Sequence, residues 1–129
     1  MTLDPSRPVL VTGGGGFLGS AVVAMLRDRG QPVRSLTRRR YGRLDEIGAE
    51  QIQGDVADPA VVDRAVAGCD AVFHVAAKAG LWGSREEYYR ANVEGTQNVL
   101  DACRRHGVRK LVHTSSPSVV FHGTDLEGA

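Results

Sequence analysis

The first residues able to do chemistry in this chain are glycines. Val11 to Ser20 reads VTGGGGFLGS, four consecutive glycines and a fifth three places on. Glycine tolerates positive φ and has no Cβ, so backbone N–H groups in such a run can close on a ligand. Set just ahead of a helix, those donors and the positive helix end suit a diphosphate. The helix-end field adds about 0.3–1 kcal/mol per charge, and up to roughly 2 kcal/mol when partly buried. Two spacings fit. From Gly14 the run is G-x-G-x-x-G, the dinucleotide fingerprint. From Gly13 it is T-G-x-x-G-x-x-G, built on Gly13, Gly16 and Gly19 with Phe17 and Leu18 inside the last interval. A flexible turn is the plain alternative to both.

Other chemically able residues follow at intervals. Thr37 is succeeded by Arg38, Arg39 and Arg40, where dinucleotide sites read the adenosine ribose. A carboxylate there would bond the 2′-hydroxyl, whereas guanidinium groups attract a 2′-phosphate. Such a charge-assisted hydrogen bond is worth roughly 1.5–3 kcal/mol. NADP(H) is therefore favoured, with Arg38 as the best candidate; NAD(H) and a solvated basic run stay open. Asp55 and Val56 are placed to reach the adenine, the carboxylate accepting from its amine and a backbone N–H donating to the ring. A turn role is the alternative for Asp55. His74, among apolar neighbours, reads as a hydrogen-bonded core histidine. Ala76 and Ala77 are small enough to let the backbone pass the cofactor ribose. Lys78 is counted with them and could also pair with a substrate carboxylate, while Trp82 could line an apolar pocket; both could equally be surface loop residues. Ser116, with Ser115 as its competitor, is a hydroxyl placed to polarise a carbonyl, or part of a serine-rich turn.

Positioning these residues requires strands that end together. Pro8–Thr12, Pro32–Thr37, Glu50–Gly54, Asp70–His74 and Lys110–Thr114 read as five strands. Between them helical spacing runs from Phe17 to Leu26, a short helix lies near Leu44–Ile47, and Asp58-Pro59 supplies an N-cap and first-turn proline for a helix closed by Gly68. A long helix opens at Ser84-Arg85-Glu86-Glu87, carries Tyr88, Asn92, Thr96, Val99 and Cys103 along one face, and ends at Gly107. Alternating strands and helices predict an α/β fold, a Rossmann-type doubly wound parallel sheet in the order 3-2-1-4-5. Its ligand lies over the carboxyl ends of strands one and four.

Composition narrows the classes. The chain has 129 residues, 42% of them apolar, with net charge +1. That is one domain, with no sign of a nucleic-acid or membrane-surface binder and no membrane span. Cys69 and Cys103 are too few for a disulfide framework and lack metal-ligand spacing, which fits reduced core thiols in a cytoplasmic protein and no metal site.

Taken together, TGGGGFLG (12–19), GDV (54–56), FHVAA (73–77), NVEGTQNVLDAC (92–103) and KLVHTSSPSVVF (110–121) resemble an extended short-chain dehydrogenase/reductase, of the NAD-dependent epimerase/dehydratase superfamily. The chain is most similar to the 3β-hydroxysteroid dehydrogenase group, which includes sterol-4-carboxylate 3-dehydrogenases. Its loops AAKAGLWGS (76–84) and TSSPSVVF (114–121) resemble the 2-alkyl-3-oxoalkanoate reductases, which use NADPH to reduce a β-keto acid. The resemblance selects the register starting at Gly13. It implies that Ser116 hydrogen-bonds the reacting oxygen and that Asn92 helps hold a proton-relay water. It further implies a small hydrophobic keto or hydroxy substrate, and it allows a homodimer of the intact enzyme. A nucleotide-sugar epimerase or dehydratase shares this cofactor half, and a non-catalytic dinucleotide sensor is the alternative of another class.

One element of the family pattern is absent. Its acid/base tyrosine has a lysine four residues later, whereas the residues four beyond Tyr41, Tyr88 and Tyr89 are Asp45, Asn92 and Val93. Residues 1–129 are thus expected to be an NAD(P)-binding Rossmann domain, the amino-terminal part of a longer enzyme, stopping before strand six and the substrate-binding portion. General acid/base groups supply about 10²–10⁴-fold in rate, so this piece alone is expected to be nearly inactive. The strand around Leu111 and Val112 is expected to form an unprotected sheet edge.

Overall fold

The computed structural model describes residues 2–13, 15–75, 86 and 90–114. Five parallel strands form one sheet: β1 Val9–Thr12, β2 Val33–Thr37, β3 Glu50–Gln53, β4 Ala71–Val75 and β5 Lys110–Thr114. Their order is β3-β2-β1-β4-β5, as the alternating pattern predicts. Thr12 at the end of β1 lies level with Leu36 of β2 and His74 of β4. α1 (Phe17–Asp28), next after β1, packs on one face of the sheet and α4 (Gly95–His106), beyond β4, on the other, the topology at which open α/β sheets take ligands at the carboxyl ends of their strands.

Both faces of the central strands are covered, which is why β1 and β4 read as almost unbroken apolar runs. Alternate residues along β1 serve opposite faces. Leu10 packs with Leu36, Val62, Val66, Val72 and Val99 beneath α3 (Pro59–Val66) and α4 (Gly95–His106). Val9 and Val11 pack with Val23, Leu26, Val33 and Leu44 beneath α1 (Phe17–Asp28) and α2 (Gly42–Glu46).

Local chemistry sets the helix ends. The Asp58 carboxylate accepts from the Ala60 N–H at 3.0 Å with Pro59 behind it, starting α3. Gly107, at φ 69°, stops α4, and the Val108 N–H returns to the Cys103 carbonyl at 2.9 Å. Three expectations shift. α2 starts at Gly42, two residues earlier than the apolar spacing suggests, and β4 runs on to Val75. The long helix is not uniform: Arg90–Glu94 form a π-helical turn before α4 begins at Gly95. The 3.6-residue face drawn through Asn92 and Thr96 is therefore broken there, since a π turn inserts an extra residue. The proposed capping residues Ser84, Arg85 and Glu87 lie outside the described residues.

Candidate functional site

Gly13 ends β1 with φ +72°, a conformation that costs any residue with a Cβ. A Cβ there would also come within 3.2 Å of the Val75 carbonyl oxygen. Its own carbonyl accepts from the Gly16 N–H at 3.1 Å, which closes the turn that delivers the chain to α1. Gly16, the N-cap of α1, differs. It is exposed, and among the described residues a Cβ built on it would meet nothing nearer than the Gly13 oxygen at 3.6 Å. Among the described residues none fills the space a side chain at Gly16 would take, which leaves that space to a ligand. Among the described residues no side chain caps α1, and its first turn carries no acid. The leading N–H groups and the positive helix end thus face that space, a setting that fits a diphosphate. Leu18 packs at the edge of the core and Gly19 is buried within α1. Gly14 lies outside the described residues; the positive φ at Gly13 agrees with the register that starts there.

Behind this loop lies a polar relay. His74 is 4% exposed; its Nδ1 is 2.7 Å from the Thr12 hydroxyl and its Nε2 is 3.0 Å from the Thr96 hydroxyl on α4. The Val75 N–H already donates to the Thr12 oxygen at 3.1 Å. A proton on Nε2 then satisfies the whole set: Thr12 donates to Nδ1, and Nε2 donates to Thr96. Burial, with the ring of His113 stacked at 5.1 Å, lowers the His74 pKa from 6.5 to about 4. His74 is the hydrogen-bonded core histidine expected, and it joins the strand under the glycine turn to α4. Asn92 sits half-buried in the π-helical turn that precedes α4; such turns recur at functional sites.

At the end of β2 the three arginines have different settings. Arg38 is exposed directly after the strand. Arg39 lies over the Tyr41 ring, its Cζ 5.0 Å from the centroid. Arg40 forms an ion pair with Asp45 at 2.7 Å. Asp55 is exposed and one carboxylate oxygen accepts from the Ala57 N–H at 2.9 Å, so it builds the turn considered for it, with its remaining oxygen available to an adenine amine. The Val56 carbonyl accepts from Asn98 of α4 at 3.0 Å, and its side chain occupies the space a Cβ on Gly95 would need. Ala76, Ala77, Lys78, Trp82, Ser115 and Ser116 lie outside the described residues. The relay through Thr12 and Thr96 and the placement of Tyr41 escape a linear reading, because each joins residues far apart in the chain. Among the described residues no cluster of His, Cys, Asp or Glu could hold a metal, and no helix is long and apolar enough to cross a membrane.

Residues 10–128 match the 3-beta hydroxysteroid dehydrogenase/isomerase family. The chain belongs to that family. It is 55% identical over 90% of its length to a 2-alkyl-3-oxoalkanoate reductase of Stenotrophomonas maltophilia, covering 35% of that protein. It is 42% identical over 93% of its length to a 3 beta-hydroxysteroid dehydrogenase/Delta 5-->4-isomerase of Mycobacterium tuberculosis, covering 34% of it. The chain thus spans about a third of the length of these relatives. Among solved structures, a short-chain dehydrogenase/reductase superfamily protein of Agrobacterium tumefaciens with bound NAD aligns at a TM-score of 0.73 and 36% identity, over 85% of this chain and 33% of that one. The fold of that structure agrees with the sheet order found.

Proposed function

We propose that residues 1–129 are the amino-terminal, cofactor-binding part of an NADP(H)-dependent oxidoreductase that reduces a 3-keto group to a 3-hydroxyl in the cytoplasm, acting on a 2-alkyl-3-oxoalkanoate. One observation carries the cofactor half of this reading: among the described residues nothing caps the start of α1 or fills the space over Gly16, while arginines rather than an acid follow β2. The named relatives support the reaction class, and the 55% identical one supports the substrate.

The bound nicotinamide supplies or accepts the hydride. The chain's own residues have three tasks. The turn through Gly13 and Gly16 and the first N–H groups of α1 hold the diphosphate. Arg38 holds the 2′-phosphate, and Asp55 and Val56 the adenine, with Ala76, Ala77 and Lys78 lining the ribose side. Ser116 orients the substrate carbonyl, and Asn92 supports proton delivery to its oxygen. In this reading a tyrosine and lysine outside residues 1–129 move the proton, so the piece alone is nearly inactive. A 3β-hydroxysteroid substrate is the second reading, favoured by the 42% identity to the mycobacterial enzyme.

Calorimetric titration of the intact protein with NADPH and NADH tests the cofactor half. Arg38→Asp is expected to weaken NADPH by at least about tenfold more than NADH, the worth of one charge-assisted hydrogen bond. Equal losses would remove the 2′-phosphate assignment, and no uptake of either dinucleotide would remove the function. Product analysis with a 2-alkyl-3-oxo acid and a 3-ketosteroid then separates the two substrates.

A further inference from the structure

We infer that Arg39, carried on the ring of Tyr41, is the second arm of the 2′-phosphate site, and that Arg40 takes no part in it. The inference rests on the NADP(H) reading above and assigns the specificity within it.

Three arginines in a row look equivalent in sequence, but the structure separates them. Arg40 is committed elsewhere. Its Nη2 and Nε lie 2.7 and 3.2 Å from the two oxygens of Asp45, and Asp45 also accepts from Gln51 at 2.9 Å. Its charge is therefore compensated on the α2 side of the turn. Arg39 is oriented by an aromatic surface instead. The cation–π contact holds the exposed guanidinium beside the ring while its N–H groups remain the donors a phosphate accepts from. The Thr37 hydroxyl donates to the Arg39 carbonyl at 2.7 Å and fixes its backbone close to the end of β2.

Tyr41 is itself placed, and placed against the glycine loop. Gln51 of β3 grips its main chain from both sides: the Tyr41 N–H donates to Oε1 and the Gln51 amide donates to the Tyr41 carbonyl, each at 2.9 Å. The ring then lies so close over Gly15 that a Cβ there would overlap it. That overlap is the reason residue 15 is glycine. It also means that the Tyr41 ring touches the loop proposed to hold the diphosphate and carries a guanidinium on it. A dinucleotide whose diphosphate lies on this loop presents its adenosine ribose toward the end of β2, where Arg38 and the Arg39–Tyr41 pair follow the strand. Two guanidinium groups at one strand end suit a phosphomonoester dianion and offer nothing comparable to a ribose hydroxyl.

Calorimetric affinities of the intact protein for NADPH and NADH test this directly, with the ratio of the two as the readout. Arg39→Gln and Tyr41→Leu are expected to lower the NADPH preference about tenfold, while Tyr41→Phe, which retains the ring, and Arg40→Gln are expected to keep it. NADH affinity serves as the folding control; should Tyr41→Leu lose both cofactors, the exposed Arg39→Gln decides. An unchanged ratio in Arg39→Gln, or an equal fall in Arg40→Gln, overturns the assignment. An unmodified protein with no preference for NADPH defeats the NADP(H) reading instead, so the two failures are distinguishable.

Discussion

A histidine with 4% of its surface exposed, wedged between two threonine hydroxyls and stacked on another imidazole, has little affinity for a second proton. Desolvation first, and the charge of His113 second, hold the pKa of His74 near 4 against an ordinary 6.5. The consequence for stability has a definite sign. Between those values the unfolded chain binds a proton that the folded chain refuses, so folding weakens as pH falls from 6.5 toward about 4 and is unaffected by this group above 6.5. The full effect is on the order of 3 kcal/mol. Urea unfolding at pH 7 and pH 4.5 is expected to show a larger loss in the unmodified protein than in His74→Gln, whose side chain does not titrate. Equal losses would mean that His74 is not held neutral. The neighbouring glycines illustrate a different constraint at the same scale: Gly13 is required by its own φ, Gly15 by the Tyr41 ring, and Gly16 by neither.

At the scale of elements, α3 gives the cleanest test of local instruction. Asp58 caps it through the Ala60 N–H, and Pro59 occupies a position whose missing N–H costs nothing. Asp58→Ala is expected to destabilise the domain by about 1 kcal/mol, read as a lower urea midpoint with an unchanged slope. Signals of this local kind were legible from the chain alone. The cap, the stop at Gly107 and the strand Lys110–Thr114 are each written in adjacent residues, and the apolar runs of β1 and β4 state that both faces of the central strands are covered. From those, the strand order follows. What was not legible is non-local. Nothing near Arg90–Glu94 announces a π-helical turn, because helical spacing fits that segment equally well. The pairing of Arg40 with Asp45 rather than with a ligand depends on where α2 folds back. Likewise the contact of Tyr41 with Gly15 brings together residues that the whole of α1 and β2 separates.

For the whole molecule, the two ends of the sheet carry different duties. The carboxyl ends hold the glycine turn and the arginines, while the amino ends are tied together by charge. The Asp70 side chain, 7% exposed, accepts from the Asp4 N–H at 2.8 Å and from Lys110 at 2.9 Å, with Arg7 at 3.7 Å. The Gln31 amide donates to the carbonyls of Asp4 and Arg7 at 2.9 and 2.8 Å, which fastens the leading segment to the turn before β2. One carboxylate thus joins the start of the chain to β4 and to β5, a strand that among the described residues pairs with β4 alone. Hydrogen bonds from Asp4 and Lys110 lower the Asp70 pKa below the usual 3.8. A depressed carboxylate stabilises the fold above its ordinary pKa and loses that contribution as pH falls through 3.8 and below. Asp70→Asn is therefore expected to lower the urea midpoint at pH 7 and to flatten the acid limb of the stability curve. Because the proposed dinucleotide site lies at the opposite end of β4, the variant's calorimetric affinity for NADPH is expected to stay within about twofold, a shift of under 1 kcal/mol. A matching fall in affinity would mean that the amino-end tie and the dinucleotide site are coupled through the sheet, and that the division of labour between its two ends does not hold.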